Sequence, residues 1–204
     1  MVDTIFFILV ISFFWNVLGR LDTAVAVPKL APKRESPQLR QALAYAERLY
    51  AEKHYVTAEK AYVAVLKLDH RNLQAFNRLG IIYSAQKNHK EAIECFEVAA
   101  RYVPSATTLF NLGLAFYENR NYVKAIAAIK KSIMFEPSLA RYVALAKAYD
   151  KISDVKGKLE ALEAAAAIEP RRQILMMLRD GYRQAGRKVQ LQAVSERLKE
   201  LPAS

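Results

Sequence analysis

Three histidines, one cysteine and a run of glutamates are the residues of this chain suited to catalysis or metal binding. His54, His70 and His89 stand 16 and 19 residues apart, each beside polar residues that read as a turn. A zinc site draws its ligands from close pairs, commonly with paired cysteines, and Cys95 is the single cysteine. The histidines are therefore read as polar surface. Cys95 precedes Phe96 and is read as a small core residue, not a reactive thiol. An internal disulfide is excluded, which fits a reducing compartment. Glu91, Glu94 and Glu97 share one helix face at i, i+3 spacing and read as a solvated acidic face. There is no Gly-rich phosphate loop and no G-x-S-x-G elbow. These residues point to a non-catalytic protein without metal or cofactor.

The elements that would carry these residues are set by a period. Pro104, Pro137 and Pro170 are 33 residues apart. A Leu79-Gly80, Leu112-Gly113 or Leu145-Ala146 pair comes 24 residues before each. Ala92 and Ala125 come 12 residues before the first two. A fixed period of this length marks stacked helical hairpins, because one unit cannot bury its apolar face without a neighbour. Large side chains recur at helical spacing, as in Phe76, Leu79, Tyr83 and then Phe96. Small residues (Ala46, Gly80, Gly113 and Ala146 on first helices, Ala58, Ala92 and Ala125 on second) sit where two helix axes must approach to about 8–10 Å. Lys53-His54, Lys87-Asn88 and Arg120-Asn121 interrupt the apolar stripe as turns. Each proline follows a second helix, where its missing N–H prevents continuation.

Asn111 to Tyr117, then Ala125 and Pro137, resembles the consensus of the tetratricopeptide repeat (TPR) family, a 34-residue helix–turn–helix unit. Ala75 to Gly80, Tyr83, Ala92, Phe96 and Pro104 make a second copy. An earlier copy falls on Tyr45-Ala46, Leu49, Ala58 and Tyr62, with His70 at the proline position. A later one falls on Tyr142, Leu145-Ala146, Tyr149, Leu162 and Pro170. The resemblance implies an all-α, right-handed α-solenoid of four hairpins at 39–72, 73–105, 106–138 and 139–171. Residues 172–204 form a degenerate capping hairpin whose consensus alanine is replaced by Leu191. Gly157-Lys158 stands where other repeats carry a helix former and alanine, so the second helix of the fourth repeat is expected to start raggedly.

In TPR arrays the first helices line a concave groove that holds a protein or peptide. Carried over by position, this implies Leu43, Glu47 and Tyr50 from the first repeat and Gln74, Asn77, Ile81 and Ser84 from the second. The third contributes Thr107, Phe110, Leu114 and Tyr117, with Asn111 at its edge, and the fourth contributes Val143, Lys147 and Asp150. Asparagine can hold a peptide backbone through paired donor and acceptor, and the aromatic rings supply apolar anchors. Phe110 and Leu114 would equally suit packing between helices. The clamp by which co-chaperone TPR domains hold a C-terminal carboxylate is absent, since Leu43 and Glu47 occupy its first-helix positions and Glu47 would repel that group.

Ile5 to Leu18 is apolar except for Ser12 and Asn16. With Thr4 and Gly19 it makes about 16 residues, near the lower limit of ~17–25 for a spanning helix. Met1-Val2-Asp3 lacks the basic start of a secretory signal, which favours a retained anchor helix over residues 1–21. The triplet Ala24-Val25-Ala26 keeps cleavage and export as an alternative. Arg20, Lys29, Lys33, Arg34 and Arg40 follow the segment, so the positive-inside rule gives a single-pass protein with its repeats in the cytoplasm. Residues 22–38, with Pro28, Pro32 and Pro37, read as a tether.

Net charge is +11, and the residues after Pro170 hold eight basic against three acidic side chains. That hairpin offers a second function, attraction to RNA phosphates or anionic lipid. Nucleic acid is the weaker partner, because no aromatic-and-basic groove accompanies the charge.

Overall fold

The computed structural model describes residues 36–200, and the chain divides into two units, Met1–Ser36 and Pro37–Ser204. The anchor and all but the last residues of the tether lie outside the described residues. Ten helices follow: α1 (Pro37–Ala51), α2 (Tyr55–Leu68), α3 (Leu73–Ala85), α4 (His89–Tyr102), α5 (Ala106–Glu118), α6 (Tyr122–Phe135), α7 (Leu139–Lys151), α8 (Val155–Ile168), α9 (Arg172–Gln184) and α10 (Lys188–Glu200). They pair as five consecutive hairpins, with no strand among the described residues. Helix α1 opens at Pro37, so the last two tether residues form its first turn; proline is pre-organised for that position.

Local chemistry repeats with the period. Asn72, Ser105 and Ser138 precede the first helices α3, α5 and α7, and each side chain accepts from an N–H three residues on, in Ala75, Thr108 and Arg141. Val103, Glu136 and Glu169 stop the second helices in extended backbone, the region to which a following proline confines its predecessor. Asp69, before His70, adopts the same backbone without the proline.

The turn inside every hairpin is also one geometry. Lys53, Lys87, Arg120, Ser153 and Gly186 have φ between 58° and 66°. The next residue donates back to a carbonyl five earlier: His54 to Leu49, Asn88 to Tyr83, Asn121 to Phe116, Asp154 to Tyr149 and Arg187 to Tyr182, at 2.8–3.0 Å. This is the Schellman closure, which satisfies the last carbonyls of the first helix.

Ala46, Ala58, Ala92, Ala125 and Ala146 are fully buried at the helix crossings. A Cβ on Gly80 would lie 2.6 Å from the Phe96 ring, and one on Gly113 would lie 2.5 Å from Ile129 and 3.2 Å from its backbone nitrogen. Helix α8 corrects the expected ragged start. It begins cleanly at Val155, with the Asp154 carboxylate accepting from the Gly157 N–H at 2.9 Å. Gly157 is buried against Tyr149, whose ring a Cβ would meet at 2.7 Å. The glycine therefore serves helix contact.

The core runs through the array in three successive clusters, around Tyr62 and Ile82, around Phe96 and Phe116, and around Leu159, Leu162 and Leu175. Helix α9 contributes Ile174, Leu175 and Leu178 to the last, whereas α10 buries only Val194 and Leu198 and half-buries Leu191. The first hairpin differs in its leading helix. Ala75, Leu79 and Ile82 of α3 are buried, while the corresponding positions of α1, 34 residues earlier, hold Gln41, Tyr45 and Arg48. Tyr45 is 47% exposed, with the Arg48 guanidinium 5.4 Å from its ring centre.

Candidate binding surface

The sequence-derived groove residues lie on the first helices α1, α3, α5 and α7, where they separate into two groups. In the first two hairpins the polar members bond one another. Glu47 Oε1 accepts from the Tyr62 hydroxyl (2.7 Å), Gln74 Nε2 (2.9 Å) and Arg78 Nε (3.0 Å), and Oε2 accepts from Arg78 Nη2 (3.0 Å). The Arg78 guanidinium also lies 4.5 Å from the centre of the Tyr50 ring, which meets Tyr55 and Tyr62 edge-on. Burial by itself would raise the Glu47 carboxyl, but the bonds from Arg78, Tyr62 and Gln74 outweigh it and hold its pKa below the ordinary value. Burial and the Glu47 bond push the Tyr62 phenol up. The repulsion expected from Glu47 is thus compensated within the protein. Asn77 is engaged too, its Oδ1 accepting from the Thr108 hydroxyl on α5 at 3.1 Å. Ser84 is half-buried.

Phe110 is half-buried against the third core cluster, with the Arg141 guanidinium 5.7 Å from its ring centre. Arg141 is itself 8% exposed, and bonds the Glu136 carbonyl (2.8 Å) and carboxylate (3.0 Å). Asn111 is half-buried, and Asp150 is exposed and ion-paired with Lys158 of α8 at 2.6 Å.

Between α5, α7 and α9 the surface opens into a hollow of about 530 Å³. Tyr117 and Lys147 line it, as do Leu114 and Val143. Its lining includes Ala140, which is exposed, and Ala144, two small residues one turn apart on α7, and α9 adds Ile174 and Met177. The rim carries Lys147 and Arg171, with Glu118 on α5. A hollow of this size, apolar inside and with few polar groups at its mouth, is suited to holding large side chains. Sequence reasoning missed Arg78, which locks the first two hairpins, and the contribution of α9. The Ala140/Ala144 spacing on the first-helix side was the available signal for a hollow there.

Groups suited to chemistry are dispersed. Burial pushes the Cys95 thiol up to about 11, which keeps it protonated and unreactive at neutral pH. No cluster of three metal-ligating side chains occurs among the described residues. In the basic terminal hairpin and the turn before it, Arg171 pairs with Glu169 (2.8 Å), Arg179 and Arg183 with Asp180 (3.1 and 3.7 Å), and Arg187 with Glu163 (3.8 Å). At least four of the eight basic residues there thus lie within ion-pairing distance of an acid, two of them sharing Asp180.

The fold and this surface define a class: an all-helical TPR-like solenoid. Residues 73–106, the second hairpin, match the family model described as "Tetratricopeptide repeat". Among solved structures, that of MamA covers 76% of this chain and 92% of its own at 22% identity, with a TM-score of 0.69. That of YrrB, described as a TPR protein with an unusual peptide-binding site, covers 78% and 84% at 15% identity with a TM-score of 0.69. At these identities they establish the fold alone. The probable UDP-N-acetylglucosamine–peptide N-acetylglucosaminyltransferase SPINDLY of Arabidopsis thaliana is 31% identical over 121 residues, 59% of this chain and 13% of that protein. Cilia- and flagella-associated protein 70 of Homo sapiens is 24% identical over 136 residues, 65% of this chain and 12% of that protein. This chain thus spans about an eighth of the length of these relatives, too little to carry their activities across.

Proposed function

We propose that this chain is a non-catalytic scaffold that binds a protein or peptide partner along its first-helix face and is held at a membrane by its N-terminal apolar segment. The hollow between α5, α7 and α9 carries the first part: it is an apolar depression on the side TPR arrays use for recognition. YrrB, a protein of the same fold, is described as having an unusual peptide-binding site, which supports peptide recognition as a use of this fold. The membrane part rests on the apolar run from Ile5 to Leu18 and the basic residues after it. Among the described residues no helix is long and apolar enough to cross a membrane.

Both parts are testable in one strain. A photoreactive residue at Tyr117 should crosslink a partner that the same residue at Val123, exposed on the second helix of that hairpin, does not reach. Equal capture at the two positions would remove the groove assignment. Deleting residues 1–21 should move the protein out of the membrane fraction, and retention there would refute the anchor.

A further inference from the structure

We propose that the hollow between α5, α7 and α9 takes a short partner segment in which a large apolar side chain is followed closely by an acidic residue. The proposal deepens the groove-binding reading and rests on it. The apolar requirement comes from the lining, with Leu114, Val143, Ile174 and Met177 around the two alanines. The volume of about 530 Å³ holds more than one large side chain, and filling it returns the area that now faces water.

The acidic requirement comes from charge left over on the rim. Lys147 is exposed, and no carboxylate of the described residues lies within ion-pairing distance of it. The acids nearest to it in the repeat register are already engaged, Asp150 by Lys158 at 2.6 Å and Asp180 by Arg179 and Arg183. Arg171 also lines this side, but Glu169 already pairs with it at 2.8 Å, so the acidic requirement rests on Lys147. Glu118, at the end of α5, gives the hollow a polarity: a ligand carboxylate is repelled at the α5 edge and attracted at the α7–α9 edge. The first two hairpins offer no equivalent, since Glu47, Gln74, Arg78 and Asn77 are bonded to one another or to neighbouring helices.

The test uses the full-length protein in mild detergent and three fluorescein-labelled twelve-residue peptides in a Gly-Ser background. One has a central Leu-Phe pair flanked by glutamates, one the same pair flanked by lysines, and one Ser-Ser flanked by glutamates. The glutamate-flanked apolar peptide should bind roughly tenfold more tightly than either other. Lys147→Glu should abolish or invert the preference between glutamate and lysine flanks. Ala140→Phe, which fills the hollow from an exposed position, should weaken the apolar peptides and leave the flank preference among them. Circular dichroism confirms that both variants fold. Apolar peptides that bind wild type but ignore both substitutions would place the contact elsewhere and overturn this proposal, leaving groove binding intact. If none of the three binds while Tyr117 still crosslinks a partner selectively, the assigned peptide chemistry is wrong. If Tyr117 captures nothing either, the groove reading falls with it.

Discussion

Glu47 shows how a residue placed correctly by repeat position acquires a different task from its neighbours. Its carboxylate accepts four hydrogen bonds, two from Arg78 of the next hairpin and one from a fully buried tyrosine. Replacing it with alanine would leave the Tyr62 hydroxyl without its partner, a change worth about 1–3 kcal/mol. Glu47→Gln is the milder probe, because it keeps an acceptor and removes the charge. The folded pKa of Glu47 lies below its ordinary value of 4.5, so the stability it adds is complete above that pH and is lost as pH falls below it. Wild type should therefore lose more stability than Glu47→Gln between about pH 5 and pH 3 in urea unfolding; parallel pH profiles would contradict the assignment. The sequence disclosed that Glu47, Gln74 and Asn77 share a side of the array. It did not disclose that they are consumed there, because their partners lie 15 to 31 residues away and periodicity reports position without pairing. Tyr117 and Lys147 were legible as groove residues for the same positional reason, and they line the hollow.

The helical hairpin is the scale at which the sequence is most transparent, since prolines, caps and small crossing residues all recur with one period. The turn pairs at 53–54, 87–88 and 120–121 were readable from polarity. Their left-handed backbone was not, since only the last hairpin places a glycine there. Gly157 misled in the opposite direction: a residue that weakens isolated helices is favoured where the Tyr149 ring leaves no room for a Cβ. At the turns, a non-glycine residue at φ near +60° costs about 1–2 kcal/mol, offset in part by the greater freedom glycine has when unfolded. Ser153→Gly should raise stability by about 0.5–1 kcal/mol, and Gly186→Ser should lower it by a similar amount. The pair is read from urea midpoints, and shifts of the same sign for both would show that this backbone is not the controlling factor.

Across the whole molecule, stability is shared between neighbours, so the ends of the array are where it can be tested by removal. Ending the chain after Pro170 would uncover Leu159 and Leu162, which α9 shields with Ile174, Leu175 and Leu178. Burying each of those three side chains contributes about 1.5–3 kcal/mol, and the truncated array should unfold at distinctly lower urea or aggregate. Ending it after Gly186 removes only α10 and the few apolar groups it covers, and should cost much less. Equal midpoints for the two truncations would show that α9 is not the effective cap. The other end carries a different consequence. With Gln41, Tyr45 and Arg48 exposed, the leading side of the first hairpin is polar where later hairpins are apolar. As the chain is synthesised, the buried side of this hairpin gains its cover only when the next hairpin follows, and each later hairpin in turn covers the one before it. Synthesis and stacking proceed in one direction, and the earliest face is already suited to water.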